Sequence, residues 1–232
     1  MKNQKEQWEE SFQRKNNFVF YPHEEVIRFF SKYIVKRTGL DSFEKIVEIT
    51  GTLPKVLDLG CGVGRHVIYA NEMQTDAYGI DLSESAVEIA RDWAKRKNIK
   101  DVNKRILQGD ITNMPFENNF FDFIISHGVL DSMSLINSTN SAKEAARVLK
   151  PGGLFYCDLV CGDDSLHPAG FSGEEIVTSE HEKGTIQLYF NTKLMDTVFG
   201  EHFLIAENIL VRRESLISKH YLSRYHIVFK KK

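Results

Sequence analysis

The stretch "VLDLGCGVGRHV", Val56 to Val67, restricts what this chain can fold into more than any other part of it. An apolar run of strand length ends in an acid, three alternate glycines follow, and a helix-like segment begins at once. Strand, tight turn and helix in that order are the unit from which parallel sheets are built. Glycine at 60, 62 and 64 removes side chains and permits positive φ, so a ligand would meet bare backbone there. The helix that follows offers its first N–H groups to the same place.

The pattern repeats downstream. "KVLDLG", "DAYGID", "KRILQGD", "FDFIISHG" and "LFYCDLV" are strand-like, with the helical runs "SESAVEIARDWAKRKNI" and "SAKEAARVLKPGG" among them. Five strands interleaved with helices predict an α/β fold, a parallel doubly wound sheet with helices on both faces in three layers, αβα. Beyond it, "GTIQLYF", "FLIAENILVRRE" and "SRYHIVFKKK" read as strands and "NTKLMDTVFG" as a helix. The last two strands are joined too closely for a parallel crossover, which predicts an antiparallel C-terminal edge strand. Upstream, the chain reads as an N-terminal helical extension. "PHEEVIRFFSKYIVKRTG" predicts one helix starting at Pro22 and ending around Lys36, Arg37 and Gly39. "DSFEKIVEI" predicts another, with Asp41 three residues before Glu44 as in a capping box. A single domain over residues 1–232 then has three parts: a helical cap (1–51), a ligand-binding core (52–160), and an insert with the C-terminal strands (161–232).

Charge and cysteine usage exclude several classes. Lys and Arg number 30 against 32 Asp and Glu, a formal net charge of −2, without the basic excess of a dedicated nucleic-acid binder. Cys61, Cys157 and Cys161 make an odd count that suits a reducing compartment, and the later two lack neighbours at zinc spacing, so no metal is expected. The start "MKNQKEQWEE" is polar and the longest apolar runs are strand-sized. The expectation is a cytoplasmic protein with neither membrane nor nucleic acid as partner. The closing "KKK" reads as a solvated tail.

Glycine spacing bears on the ligand. Dinucleotide folds use G-x-G-x-x-G/A, whose last small residue lets helix and strand pack closely. Here the glycines alternate as G-x-G-x-G and Val67 stands at the third dinucleotide position. Asp58 just before the loop would repel a pyrophosphate and would suit an ammonium group. Asp81 ends the second strand roughly 20 residues after the loop, where an acid can accept ribose hydroxyls, or can simply sit at a helix start beside Ser83.

With "DLGCGVG" as its first motif, the sequence resembles the class I S-adenosylmethionine-dependent methyltransferases over roughly Lys55 to Val160. That resemblance implies a Rossmann-like sheet and S-adenosylmethionine as cofactor. By match, Asp58, Gly60, Cys61 and Gly62 would hold its methionine end, and Asp81 with Leu82 its ribose. "QGDITNMPF" resembles the third-strand motif, which puts Asp110 and Ile111 at the adenine edge; a turn aspartate is the plainer alternative for Asp110. Ser126 and His127 would face the sulfonium and the acceptor. Tyr21 would cover the cofactor's carboxylate end or pack in the core.

Methyl transfer from a sulfonium is an in-line displacement that needs mainly alignment, plus a base where the acceptor is a hydroxyl. His127 is the candidate base and Asp131 the candidate to orient it or bind the acceptor. His167, in "DDSLHPAG", is either part of a lid or an exposed loop residue. The chain reads "SHGV" where enzymes acting on base amino groups carry N/D-P-P-Y/F, and it has no Pro-Cys nucleophile. A small polar metabolite methylated on O or N is therefore expected. "NNFVFYPHEEVIRFF" resembles bacterial methyltransferases of surface-polysaccharide synthesis, which would make the acceptor a sugar precursor. A nicotinamide-dependent oxidoreductase and a non-catalytic cofactor-binding subunit are the rival readings.

Overall fold

The computed structural model describes residues 4–14, 18–49, 52–178 and 183–232. Helices α1 (Gln4–Gln13) and α2 (Glu24–Tyr33) open the chain, followed by β1 (Val35–Arg37) and β2 (Phe43–Lys45). The core runs β3 (Lys55–Leu59), α3 (Arg65–Glu72), β4 (Asp76–Asp81), α4 (Glu84–Arg96), α5 (Val102–Arg105), β5 (Ile106–Gln108), β6 (Phe121–Ser126), α6 (Leu135–Val148) and β7 (Leu149–Cys161). Then come β8 (Gly173–Ile176), β9 (Ile186–Tyr189), α7 (Thr192–Phe199), β10 (Phe203–Glu214) and β11 (Tyr221–Lys231).

Seven strands form the main sheet in the order β10-β11-β7-β6-β3-β4-β5. The five from β5 to β7 are parallel, as the alternating pattern predicts. Chain order reverses between β3 and β6, so the glycine loop after β3 stands where such sheets bind ligands. One face packs on α6 and α7 through Ala142, Ala145, Met195 and Phe199; the other carries α2, α3 and α4 through Phe29, Phe30, Val67 and Ala90. No helix among the described residues is long and apolar enough to cross a membrane.

The last two strands form the expected antiparallel pair at one edge of the sheet. β10 is outermost, and β11, the final strand, lies between β10 and β7 and is antiparallel to both. Burial explains the order. Ile227, Val228 and Phe229 of β11 are buried, whereas β10 exposes Leu204, Ile205 and Leu210 and takes the outer place.

The N-terminal part also differs from its helical reading. α2 stops at Tyr33, and β1 pairs with β2, so "DSFEKIVEI" supplies a strand instead of a second helix. The β-branched pair Ile34–Val35 is buried, the strand starts at Val35, and the Ile34 carbonyl accepts N–H groups of Ile46 and Val47 at 3.0 and 3.3 Å. Tertiary burial and a closed hairpin outweigh a local cap signal. In the insert, the expected strand "GTIQLYF" is β9, and it pairs antiparallel with β8, which the sequence pattern does not announce. The boundary at 51, Asn16, Asn17 and the first three residues lie outside the described residues.

Val67 has its counterpart on the neighbouring strand. A Cβ built on Gly79 of β4 would lie 2.7 Å from Val67 Cγ2 and 2.8 Å from Cys61 Sγ. The small residue that brings α3 onto the sheet thus belongs to the strand, while the helix keeps a valine. Gly79→Ala should therefore lower unfolding stability by about 1–3 kcal/mol, the range for overpacking. Chemical denaturation measures this, and Val67→Ala in the same chain should recover part of the loss. Equal stability of Gly79→Ala and the parent would show that the contact carries no strain.

Candidate functional site

A cavity of ≈390 Å³ opens at the carboxyl ends of β3, β4, β5 and β6, within the size range of small-molecule sites. Its floor is the glycine loop. Gly60, Gly62 and Gly64 take φ of +66°, +51° and +88°, conformations that favour glycine. A Cβ on Gly60 would stand 2.5 Å from Val129, and one on Gly64 2.9 Å from Ala90 Cβ. Alternate glycines are required here by backbone geometry and by packing together. The loop's own N–H groups are already bonded. Gly60 and Cys61 donate to the Ile80 carbonyl (2.8 and 3.1 Å), Gly62 to Asp81 Oδ2 (2.8 Å) and Gly64 to the Cys61 carbonyl (2.9 Å).

Of the residues expected at the cofactor, Gly60, Cys61, Gly62, Asp81, Leu82, Asp110 and Ile111 all line this cavity. Asp81 is buried and accepts the Ser83 N–H at 2.9 Å through its other oxygen. Burial raises its carboxyl to about 6 against the pull of its N–H donors. The helix-start contact therefore exists, and the same carboxylate stands in the cavity wall. Asp110 Oδ1 accepts the Thr112 N–H and hydroxyl, both at 2.8 Å, an Asx turn that also faces the cavity.

Asp58 and Ser126 end neighbouring strands behind the loop, outside the set of residues lining the cavity. Asp58 Oδ1 lies 3.6 Å from His66 Nδ1, and its Oδ2, like the Ser126 hydroxyl and His127 Nε2, is buried without a hydrogen-bond partner. Buried polar atoms left unpaired are costly, and the free Asp58 oxygen, on the strand that leads into the glycine loop, is open to an added donor. An ammonium, which only donates, fits the free acceptor that Asp58 presents. Tyr21 is 72% exposed and is not among the lining residues.

Asp131 does not orient His127. It is fully buried and accepts the Val160 N–H and Arg224 Nη1, each at 2.9 Å. The carboxylate beside His127 is Asp158, whose Oδ2 lies 3.5 Å from His127 Nε2. Asp158 also accepts the Gly128 N–H at 2.7 Å and Arg224 Nη1 at 2.5 Å. Against the cost of burial, Arg224 and His127 hold Asp158 below the usual carboxylate range, while burial pushes Asp131 up to about 6. Asp158 sits in "YCDLV", where an acid interrupting an apolar strand was the signal available.

Other groups at the cavity escaped the sequence reading. Trp8 and Phe12, one turn apart on α1, cover the loop. Glu9 between them bonds the hydroxyls of Ser83 and Ser85 at the start of α4. His23 and His127 lie ring to ring at 4.0 Å, and His23 donates its backbone N–H to His66 Nε2 at 3.3 Å. Burial lowers His23 to about 4 and His127 to about 3, more than Asp158 can offset. His167 is no free loop residue. It stacks on Phe171 at 4.2 Å and bonds Asp164 (2.9 Å) and Glu175 (3.1 Å), which raise it despite its burial.

Comparison with known proteins adds three findings. The model of a family described as "Methyltransferase domain" matches residues 53–201. Demethylmenaquinone methyltransferase of Staphylococcus haemolyticus is 29% identical over 148 residues, 63% of this chain and 54% of that protein; the Staphylococcus aureus (strain JH9) protein of the same name is 31% identical over 150 residues, with 63% and 54% covered. The matches thus span about half the length of these relatives. Among solved structures, a SAM-dependent methyltransferase from Methanosarcina mazei superposes with a TM-score of 0.61 at 20% identity, over 76% of this chain and 92% of that one. The 1,6-didemethyltoxoflavin-N1-methyltransferase of Burkholderia thailandensis gives 0.58 at 18%, over 78% and 72%. At such identities the structural likeness shows the fold.

The charge state of the histidines can be read directly. His23 and His127 should stay neutral from pH 8 to pH 5 in an NMR titration, whereas His167 should titrate above the ordinary value near 6.5. Both lowered histidines bind protons more readily when unfolded, so stability should fall as pH drops below about 6.5, and His23→Gln should flatten that fall. A His127 midpoint between 6 and 7 would remove the neutral pair.

Proposed function

Since the chain belongs to the methyltransferase domain family, we propose that it binds S-adenosylmethionine in this cavity and moves the methyl group to an oxygen or nitrogen of a small-molecule acceptor. The observation that carries the reading is that Gly60–Gly62, Asp81 and Asp110–Ile111, from three strand ends, line one cavity. Asp81 accepts the ribose hydroxyls, Asp110 and Ile111 face the adenine edge, Asp58 receives the ammonium, and Ser126 faces the sulfonium. When bound, the cofactor supplies a methyl group on a sulfonium, an electrophile that a correctly placed nucleophile displaces in line. The chain's own part is to hold both reactants in register and to keep water out, with Trp8 and Phe12 as the cover.

The nicotinamide reading is disfavoured by the loop itself. A pyrophosphate needs free N–H groups, and those of Gly60, Cys61, Gly62 and Gly64 are bonded within the protein. Asp58 and Asp81 beneath it would add repulsion. For the acceptor, Trp8, Phe12, Val19, Val129 and Met133 make the walls largely apolar. They favour a molecule with a flat apolar part over a sugar, in line with the quinone name of the relatives.

Calorimetric titration with S-adenosylhomocysteine and NAD tests the cofactor. Binding of the first and none of the second is expected; the reverse would overturn the reading. Asp81→Ala should weaken S-adenosylhomocysteine by about 1–3 kcal/mol. It should also lower the melting temperature, because the Gly62 and Ser83 N–H groups lose their acceptor. A labelled-methyl assay with a naphthoquinol and a nucleotide sugar as acceptors separates the two acceptor classes. Cofactor binding with no transfer to any acceptor pool would favour a non-catalytic subunit.

A further inference from the structure

Arg65, the first residue of α3, lines the cavity, and among the described residues it forms no ion pair, although Asp58 and Asp158 attract it from further away. Three acids of the site are bonded elsewhere. Asp158 is bonded to Arg224 and the Gly128 N–H, Asp131 to Arg224 and the Val160 N–H, and Asp81 to two backbone N–H groups. Asp58 faces His66. The contact that holds the guanidinium is His127 Nδ1, 3.2 Å from Arg65 Nη2. Arginine only donates, so this nitrogen carries the lone pair and the imidazole proton sits on Nε2, on the Asp158 side. Neither nitrogen is then open to take a proton from an acceptor, and the depressed value of the ring, about 3, agrees.

A carboxylate in the place of His127 would pair with Arg65 directly; a neutral imidazole fixes its direction and leaves its other N–H groups facing the cavity without a bonded anion. A half-buried guanidinium with no directly bonded counter-ion is costly. Resting on the cofactor reading above, we propose that Arg65, positioned by neutral His127, is the cavity's oxyanion-binding group. Its ligand is a carboxylate or ionised hydroxyl, and His127 is a positioning residue instead of a base. The oxyanion can come from the amino-acid end of the cofactor or from the acceptor. In the second case the acceptor is an acidic one that ionises without help from the enzyme.

Calorimetry on the full chain separates these sources. The probes are S-adenosylhomocysteine, 5′-methylthioadenosine, which lacks the amino-acid end, and 1-naphthoate added to protein loaded with S-adenosylhomocysteine. Arg65→Gln is compared with the parent, with thermal unfolding to confirm the fold and Arg65→Lys to restore the charge. A loss of roughly tenfold to a hundredfold for S-adenosylhomocysteine, the scale of a charge-assisted hydrogen bond, with 5′-methylthioadenosine unchanged, assigns Arg65 to the cofactor's carboxylate. A similar loss confined to 1-naphthoate assigns it to the acceptor. Either result should be partly reversed in Arg65→Lys. Unchanged affinities for all three probes, or equal losses for both nucleosides, overturn the proposal while leaving the cofactor reading in place. A parent protein that binds neither nucleoside overturns both.

Discussion

One guanidinium holds the active end of the sheet together. Arg224 of β11 reaches two wholly buried carboxylates, Asp131 and Asp158, which would otherwise repel each other in a medium that screens little. Breaking such a buried pair costs about 3–5 kcal/mol, because a charge is left without compensation. What Arg224 secures extends beyond itself. Asp158 fixes the Gly128 N–H and faces His127, and Asp131 bonds β7 at Val160 while its carbonyl accepts the Leu188 N–H of β9 at 2.7 Å. The segment after β6 is thereby tied to three strands. The interior position of β11 has a purpose in this light: an outer strand would carry its arginine away from both acids.

The parts of the site that were legible in sequence are those encoded locally. Strand-end acid, alternate glycines and the acids at 81 and 110 each declare themselves within a few residues, because turn geometry and strand ends are short-range matters. Asp158, Arg224 and His23 did not declare themselves. Their meaning depends on partners such as Asp158 with Arg224, 66 positions apart, and no periodicity reports that. Asp131 is close to His127 in sequence, but the fold turns it inward, to the Val160 N–H and Arg224. In the N-terminal part, Asp41 and Glu44 have true capping spacing, yet burial of Ile34 and Val35 in a hairpin prevails. The terminal lysines show the same limit, since Lys231 Nζ bonds the Leu149 carbonyl and Asn119 at 2.6 and 2.8 Å instead of standing free.

Gly79 qualifies how a glycine fingerprint is read. A rule that asks for a small residue at one helix position is a statement about volume between a helix and a strand. Here the strand yields that volume at Gly79, so Val67 and close packing coexist. Spacing still discriminates ligands, but through the hydrogen bonds it leaves free or uses up within the loop.

α1 has ten residues, too short to hold a helical form unaided in water. Its order comes from docking: Glu9 on the serines that start α4, and Phe12 against Gly62 and Val63. The same helix is the outer wall of the cavity, so a ligand beneath it and the helix above it stabilise each other. Escape then has two steps in series, the melting of a short helix and the departure of what it covers. The lifetime of the bound state is therefore a folding quantity as much as a binding one.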